Sequence, residues 1–491
     1  MTESVRSAIR NMVDPATERV FEYFGQLSEI PRPSKKEGKV RTWLESVAAK
    51  HGWAHRTDNE GNIVLVVPSS PGREQEPIMV LQGHQDMVCE KTPESAHDFD
   101  RDPIVLRVDG EWLTARDTTL GADNGIAIAI ALALSTDPDV SRPPLELLFT
   151  VDEETGLTGA NRLDPSLLQG RVLLNLDSED EGVLTVGCAG GTDTEIAMNL
   201  TRSPVGSPWS TYRLSVSGLK GGHSGVDIHL KRANANVILA HALRRITDIE
   251  SVLLLEVSGG SAHNAIPRDA HAVIASMSAG ATLERAVGEF QSALERLYGR
   301  WEPALKVTVA ATESAETGVS AEHTRQIAHL LCSLPHGIQG MSGDISGLVE
   351  TSVNLATVRI EQGSLKIGMS QRSSVQGEME MLSRRIHSIA ALAGAQVTDR
   401  NSYPGWKPDM QSRLLDRCRH VYTRTFGVEP VVEAIHAGLE CGVIGAKYDA
   451  MDMLSLGPTI QGPHSPDERL HIGSVGKVYR LLREVLASKT E

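Results

Sequence analysis

The stretch Leu81-Gln82-Gly83-His84-Gln85-Asp86 closes the apolar run Ile78-Met79-Val80-Leu81, and its reading decides the rest of the chain. The run predicts a buried strand that stops at a glycine. His84 and Asp86, two apart, point to one side if the extended geometry persists. Such a strand end can hold a metal, the imidazole ligating and the carboxylate orienting it. His-x-Asp alone is common and carries little weight. The weight comes from four further acidic or histidine clusters in similar settings.

Thr118-Thr119-Leu120-Gly121-Ala122-Asp123-Asn124-Gly125 precedes an apolar, alanine-rich stretch, 126–134, that reads as a buried helix. An aspartate there is ordinarily an N-cap. The functional reading is a carboxylate with one oxygen for each of two metals. In the third cluster a strand runs to Val151 and then into Asp152-Glu153-Glu154-Thr155-Gly156. Charge runs are usually solvated loops, but open α/β sheets place their sites at such strand ends. Consecutive carboxylates repel one another without a cation, and one can ligate while its neighbour acts as general base. Val172-Leu173-Leu174-Asn175-Leu176-Asp177 repeats the pattern, and Gly462-Pro463-His464-Ser465-Pro466 fixes a histidine in a Gly- and Pro-rich loop. Standing alone, His464 would read as a surface residue. Together the clusters give His84, Asp123, Glu154, Asp177 and His464 as ligands. Two histidines and three carboxylates suit two zinc-type ions sharing one carboxylate. The same donors admit Mn²⁺ or Co²⁺.

The order His-x-Asp, Gly-Ala-Asp-Asn-Gly, Asp-Glu-Glu-Thr-Gly, Asn-Leu-Asp-Ser-Glu and Gly-Pro-His-Ser-Pro resembles the co-catalytic zinc peptidase/aminoacylase family. Within it the chain looks like the aminoacyl-histidine (Xaa-His) dipeptidases of bacterial carnosinase type, over residues 20–486. The resemblance implies that His84 and Asp177 hold one metal and Glu154 and His464 the other. It implies that Asp123 bridges them across a cis Asp123-Asn124 peptide, that Asp86 orients His84, and that Glu153 is the general base toward a metal-bridging hydroxide. The implied activity is hydrolysis of unblocked dipeptides, Xaa-His and β-Ala-His included.

With 491 residues, the chain is too long for one ordinary domain. It has no apolar run of about twenty residues, so no membrane span is expected. Residues 1–10 are polar and lack the apolar segment of a signal peptide, so a cytoplasmic location is expected. Five scattered cysteines without a Cys-x-x-Cys pair fit a reducing compartment. A net charge of −15 makes nucleic acid an unsuitable partner. The expected partner is a small peptide substrate, and a homodimer is left open.

Residues 17–29 and 36–51 read as helices, and strands and helices then alternate up to Asp177. This predicts an α/β catalytic domain, 1–186 and 403–491, with a mostly parallel sheet and helices on both faces. Between these parts, 187–402 reads as an inserted α+β lid domain of two similar units in tandem. Strands are expected at 211–216, 253–257 and 271–276 with helices at 237–246 and 283–298. The second unit is expected to open with a strand at 306–310, followed by a helix at 323–332, strands at 351–360 and 364–371, and a helix at 377–393. The insertion contains Lys220-Gly221-Gly222-His223-Ser224-Gly225, a Gly-rich turn. By the resemblance, His223 stabilises the tetrahedral intermediate; as a lone motif it is an ordinary loop histidine. The doubled lid would supply it within one chain. Asn264-Ala265-Ile266-Pro267 resembles the family's Asn-x-Ile-Pro loop, which implies that Asn264 hydrogen-bonds a substrate carbonyl or carboxylate, and Arg372 is expected to pair with a C-terminal carboxylate. Glu440 is expected to bind the N-terminal ammonium. The competing readings are an N-acyl amino acid deacylase, a tripeptidase or a carboxypeptidase on the same scaffold. A non-enzymatic binding protein is opposed by the full ligand set, and a Rossmann enzyme by the lack of Gly-x-Gly-x-x-Gly after the early strands.

Overall fold

The computed structural model describes residues 1–313 and 315–488. The chain divides into two compact units. The first comprises Met1–Cys188, Pro408–Ala434 and the stretch from Leu439 on; the second comprises Ala189–Lys407 and Ile435–Gly438.

The first unit is built on an eight-stranded sheet. Its centre is parallel: Leu145–Thr150, Met79–His84, Val172–Asn175 and Asp452–Ser455 lie side by side in one direction. These strands are apolar almost throughout because both faces of a central parallel sheet are covered. The flanking pairings are antiparallel: Ala54–Thr57 on Ile63–Val67, Ile63–Val67 on Leu145–Thr150, and Asp452–Ser455 on Val183–Cys188. The sheet is therefore mixed, with a parallel centre where the predicted site residues lie.

The helix Ala122–Thr136 is buried on all sides, which its Ile/Ala/Leu repeat requires. It packs on Met79–His84 and on the helix Pro15–Leu27. Asp14 caps the latter helix through the Ala16 and Thr17 N–H groups, and Pro15 fits its first turn. A small four-stranded sheet orders Ile460–Gln461, Arg469–His471, Trp112–Ala115 and Leu106–Asp109. The first two form a hairpin whose connecting loop carries His464.

The second unit contains an antiparallel sheet with a repeated order. Lys306–Ala311, Ser210–Ser217, Ala270–Ser276 and Val252–Gly259 are followed by Val349–Glu361, Ser364–Ser373, Gly190–Asn199 and Gln396–Tyr403. Each half reads strand, helix, strand, strand, helix, strand, and the two halves meet where Ser258 and Gly259 pair with Arg359 and Val358. The helices are Ala235–Ile249 and Gly280–Tyr298 in one half, Ala321–Ser333 and Gln376–Leu392 in the other. The duplication is present, but the tandem order is corrected. Lys306–Ala311 closes the first half by pairing with Ser210–Ser217. The opening strand of the second half is Gly190–Asn199, which precedes the whole first half in sequence and pairs with Ser364–Ser373 and Gln396–Tyr403.

Candidate active site

Three adjacent parallel strands bring their C-terminal ends to one edge of the first unit's sheet, where open α/β folds hold ligands. His84 ends the middle strand, opposite Thr150. Gly83 before it has to be small: a Cβ there would come within 2.4 Å of Asn124 Oδ1 and 2.7 Å of Ala127 Cβ. The helix Ala122–Thr136 therefore begins against the strand. Its backbone is non-helical at Asp123 and Asn124, and the peptide between them is cis, as the resemblance implies. Asn124 joins two strand ends, accepting from the His84 N–H at 3.1 Å and donating to the Leu176 carbonyl at 2.9 Å.

The predicted ligands sort into two triads that share Asp123. His84 Nε2 lies 3.2 Å from Asp123 Oδ1 and 3.6 Å from Asp177 Oδ1. His464 Nε2 lies 3.1 Å from Asp123 Oδ2 and 3.1 Å from Glu154 Oε2. Each triad offers one nitrogen and two carboxylate oxygens, the donor mix of zinc-type ions. The ligand atoms of His84, Asp123 and Glu154 all lie within 4.8 Å of one another. Glu154 Oε1 is buried and has no hydrogen-bond partner among the described residues, which leaves it open to a cation. The residues present fit a pair of divalent ions.

The Asp152-Glu153-Glu154 run divides its labour by conformation. Asp152, at φ +50°, turns away and accepts from Thr155 Oγ1 at 2.5 Å. Glu154 faces His464, and the Glu153 carboxylate makes no ion pair among the described residues. Asp86 anchors the segment, accepting from the Glu153 N–H at 3.1 Å and the Glu154 N–H at 3.3 Å. Its Oδ1 stands 3.3 Å from His84 Nδ1, and Ser34 Oγ donates to its Oδ2 at 2.7 Å.

The electrostatics are those of a site short of positive charge. Burial opposes the His84 cation, yet Asp177, Asp123 and Asp86 outweigh it and hold its pKa well above the imidazole range. Asp123 and Glu154 raise His464 to about 11. Burial also opposes ionisation of Asp86, but His84 and Ser34 bring it to about 2. Burial, then the neighbouring acids, push Glu153 and Asp177 well above the carboxylate range. A cation in the cluster would reverse this.

A buried polar row crosses the strands beneath. Gln82, Asn175 and Ser455 share one register level. Asn175 Nδ2 donates to Gln82 Oε1 and Ser455 Oγ to Asn175 Oδ1, each at 2.5 Å. The row ends on Glu440, whose Oε2 accepts from Gln82 Nε2 at 2.6 Å and Thr150 Oγ1 at 2.7 Å. Glu440 is fully buried, its Oε1 has no partner among the described residues, and burial raises its pKa to about 7.

The second unit holds the other expected residues. Gly222–His223 pairs with Ala265–Ile266, and the Asn264 carbonyl accepts from the Ser224 N–H at 2.8 Å, so the His223 and Asn264 loops form one piece. His223 Nδ1 accepts from the Gly225 and Val226 N–H groups at 3.2 and 3.0 Å. A nitrogen that accepts carries no proton, so the proton of the neutral ring sits on Nε2. Arg372, in Ser364–Ser373, donates to the Tyr403 hydroxyl at 3.3 Å, and its buried Nε has no partner among the described residues. Gly225 has to be small here as well, since a Cβ would lie 2.4 Å from the His436 carbonyl oxygen and 3.1 Å from Arg372 Nε. His436 Nε2 is 2.7 Å from Ser352 Oγ.

Sequence reading missed Arg32, Glu37, Glu468, His436, Ser352 and Tyr403. Arg32 is buried and donates to the Gln85 and Asp86 carbonyls at 3.1 and 2.6 Å, and also to the Gly121 carbonyl. Glu37 Oε1 accepts from the Asp152 N–H at 3.0 Å. The one available signal was Arg32 standing between Pro31 and Pro33, which fix the backbone on both sides.

Residues 80–488 match peptidase family M20/M25/M40. The chain is 38% identical over 468 residues to an Escherichia coli protein named cytosol non-specific dipeptidase, covering 95% of this chain and 96% of that one. The crystal structure of an aminoacylhistidine dipeptidase from Vibrio alginolyticus superimposes with a TM-score of 0.93 at 36% identity, covering 98% of each chain. An aminopeptidase from Bacillus cereus shares the fold, with a TM-score of 0.56 at 15% identity over 97% of this chain and 99% of that one.

Proposed function

The chain belongs to peptidase family M20/M25/M40, and we propose that within it this protein is a metal-dependent dipeptidase cleaving unblocked dipeptides, Xaa-His and β-Ala-His among them. The observation that carries the reading is Asp123, which offers one oxygen to each of two histidine–carboxylate triads. The names of the Escherichia coli and Vibrio alginolyticus relatives support dipeptides as the substrate class. His84, Asp123 and Asp177 would hold one divalent ion and Asp123, Glu154 and His464 the other, with zinc the expected metal. When bound, the ions supply Lewis acidity, acidifying water and polarising the scissile carbonyl.

The protein's own groups account for the rest of the reaction. Glu153 is held by its backbone to Asp86 and carries no ligand duty, so its carboxylate can take a proton from the attacking water. It then passes that proton to the leaving amine nitrogen. His223 presents a neutral Nε2–H, a donor suited to a developing oxyanion. Arg372 is the donor for the substrate's C-terminal carboxylate, and Asn264 for a carbonyl or carboxylate oxygen. Glu440 Oε1, buried and without a partner among the described residues, is the acceptor for the free ammonium.

In this reading the first unit carries the metal ligands and the general base, and the second unit's His223, Asn264 and Arg372 are substrate contacts. No helix among the described residues is long and apolar enough to cross a membrane, and the relative's name supports a cytosolic place of work. The test is a panel of β-Ala-His, Gly-His, Leu-Leu, a tripeptide and an N-acetyl amino acid, run on chelated protein and after adding Zn²⁺, Mn²⁺ or Co²⁺. Metal-dependent cleavage confined to the unblocked dipeptides is expected. Preferred cleavage of the N-acetyl substrate would make it a deacylase.

A further inference from the structure

Glu468 lies on the His464 loop, four residues beyond the ligand, and is 2% exposed. Its carboxylate accepts four consecutive backbone N–H groups. Oε2 takes those of Leu120 and Gly121 at 2.7 and 2.9 Å. Oε1 takes those of Ala122 and Asp123 at 2.7 and 3.2 Å. The turn is closed from its carbonyl side by Arg32, which holds Gly121 together with the carbonyls of Gln85 and Asp86. Gly121 fits only as glycine, at φ +68° with Arg32 Nη2 2.5 Å from where a Cβ would be.

Resting on the metal reading above, we propose that Glu468 is the positioning residue that sets the spacing between the two metal positions. The residue that serves both positions, Asp123, has its backbone N–H on this carboxylate. The residue that serves only one, His464, lies on the same loop as Glu468. That loop is otherwise fixed by its hairpin, whose strand Arg469–His471 pairs with Trp112–Ala115, just ahead of the Asp123 turn. Two segments 346 residues apart are thereby locked in register by one side chain. Glu468 touches no ligand atom and no reacting atom; it acts through the Asp123 backbone. A carboxylate suits the task, since each of its oxygens can accept two N–H bonds at once, and of the two carboxylate side chains glutamate has the longer reach.

The prediction concerns binding of the second ion more than the first. Glu468→Gln keeps the shape but replaces one acceptor oxygen with an NH₂ group that faces two N–H donors. Glu468→Asp keeps the charge but is too short to span all four. Zn²⁺ binding to the chelated full-length protein would be followed by competition with a chromophoric chelator, with stoichiometry read independently by elemental analysis. Wild type should take up two ions. Both variants should keep one ion within about threefold of wild-type affinity and weaken the other by at least tenfold. Activity lost at low Zn²⁺ should return as Zn²⁺ is raised, with KM for β-Ala-His unchanged. Failure of the wild type to bind two ions would instead defeat the underlying metal reading. Two tight ions in both folded variants would overturn the role of Glu468, as would an equal loss at both positions. Loss of the folded chelated protein in both variants would overturn it as well, because a positioning role leaves the fold intact.

Discussion

The candidate-site histidines of the two units sit in opposite surroundings. In the first, carboxylates outweigh burial at His84 and lift it well above the imidazole range, while Asp123 and Glu154 lift His464 to about 11. In the second, burial and then Arg372 push His223 down, and the same causes bring His436 to about 4. Burial alone brings His336 to about 4. One side chain type thus marks two kinds of surroundings. The strand ends of the first unit collect acceptors and call for cations. The His223 turn and the strand end at Arg372 in the second offer donors, a neutral imidazole N–H and a guanidinium, which suit anionic oxygens.

The largest effect should come from depriving the acceptor cluster of its cations. Chelation, or Asp123→Asn, is expected to abolish turnover. Chelation should also lower the thermal midpoint, because a ligand that binds only the folded state at a hundredfold its Kd adds about 2.7 kcal/mol of stability. An unchanged midpoint and unchanged activity after exhaustive chelation would dissolve the contrast between the units. Next is Glu153→Gln. A positioned general base contributes about 10² to 10⁴-fold, so kcat should fall by that factor while two ions remain bound. Near-normal turnover would remove Glu153 from the chemistry.

On the donor side the effects should be smaller. His223→Ala is expected to lower kcat about 10² to 10³-fold, the usual loss on removing one oxyanion donor, with metal content unchanged. A loss of bound metal would place His223 with the acceptors instead. Arg372→Ala should act on KM. A hydrogen bond to a charged group contributes about 1.5–3 kcal/mol, so a rise of roughly 10 to 100-fold is expected for a dipeptide. A C-terminally amidated substrate should show a much smaller rise, and Arg372→Lys should rescue only in part because the planar fork is lost. An equal loss for the amide would mean that Arg372 does not read the carboxylate.

The same contrast explains what was legible in the sequence. A parallel sheet gathers its strand ends, so an acid or histidine directly after each apolar run could be assembled on paper into one cluster. His84, Glu154 and Asp177 were legible for that reason; Asp123, ahead of a helix, and His464, in a Gly- and Pro-rich loop, were grouped with them from their motifs, and the structure brings the five side chains together. Arg32 and Glu468 were not, because each acts on backbone groups, and backbone partners leave no trace in residue identity. The second unit was read less well. Gly190–Asn199 opens with two glycines and alternates polar residues, so its strand character was weak, and its partners lie far along the chain. A loop-borne residue such as His436 follows no period at all, and Ser352, inside the strand Val349–Glu361, gives no sign in its own residue type of a partner so far along the chain.

The smallest effect is a pH-dependent loosening confined to the donor side. His336 accepts from Asn234 Nδ2 at 3.3 Å and from the Leu355 N–H at 3.4 Å. Asn234 caps the helix Ala235–Ile249 in one half of the second unit, and Leu355 belongs to a central strand of the other. The accepting nitrogen must be unprotonated, and burial brings the folded pKa to about 4, against about 6.5 in an unfolded chain. Above pH 6.5 the ring is neutral in both states and contributes no slope. Between 6.5 and 4 the unfolded chain binds the proton first, so stability falls as pH falls. The loss is at most about 3.4 kcal/mol at 1.36 kcal/mol per unit, and less to the extent that the ring keeps contact with water. His436 adds a loss of the same sign. Hydrogen exchange of the Ala235–Ile249 amides should therefore quicken from pH 7 to pH 5 once intrinsic exchange rates are divided out. In His336→Asn, whose Oδ1 can replace the accepting nitrogen, that quickening should shrink. If the full quickening persists in this variant, His336 is not its source and the descent of the second unit's histidines has no bearing on its stability.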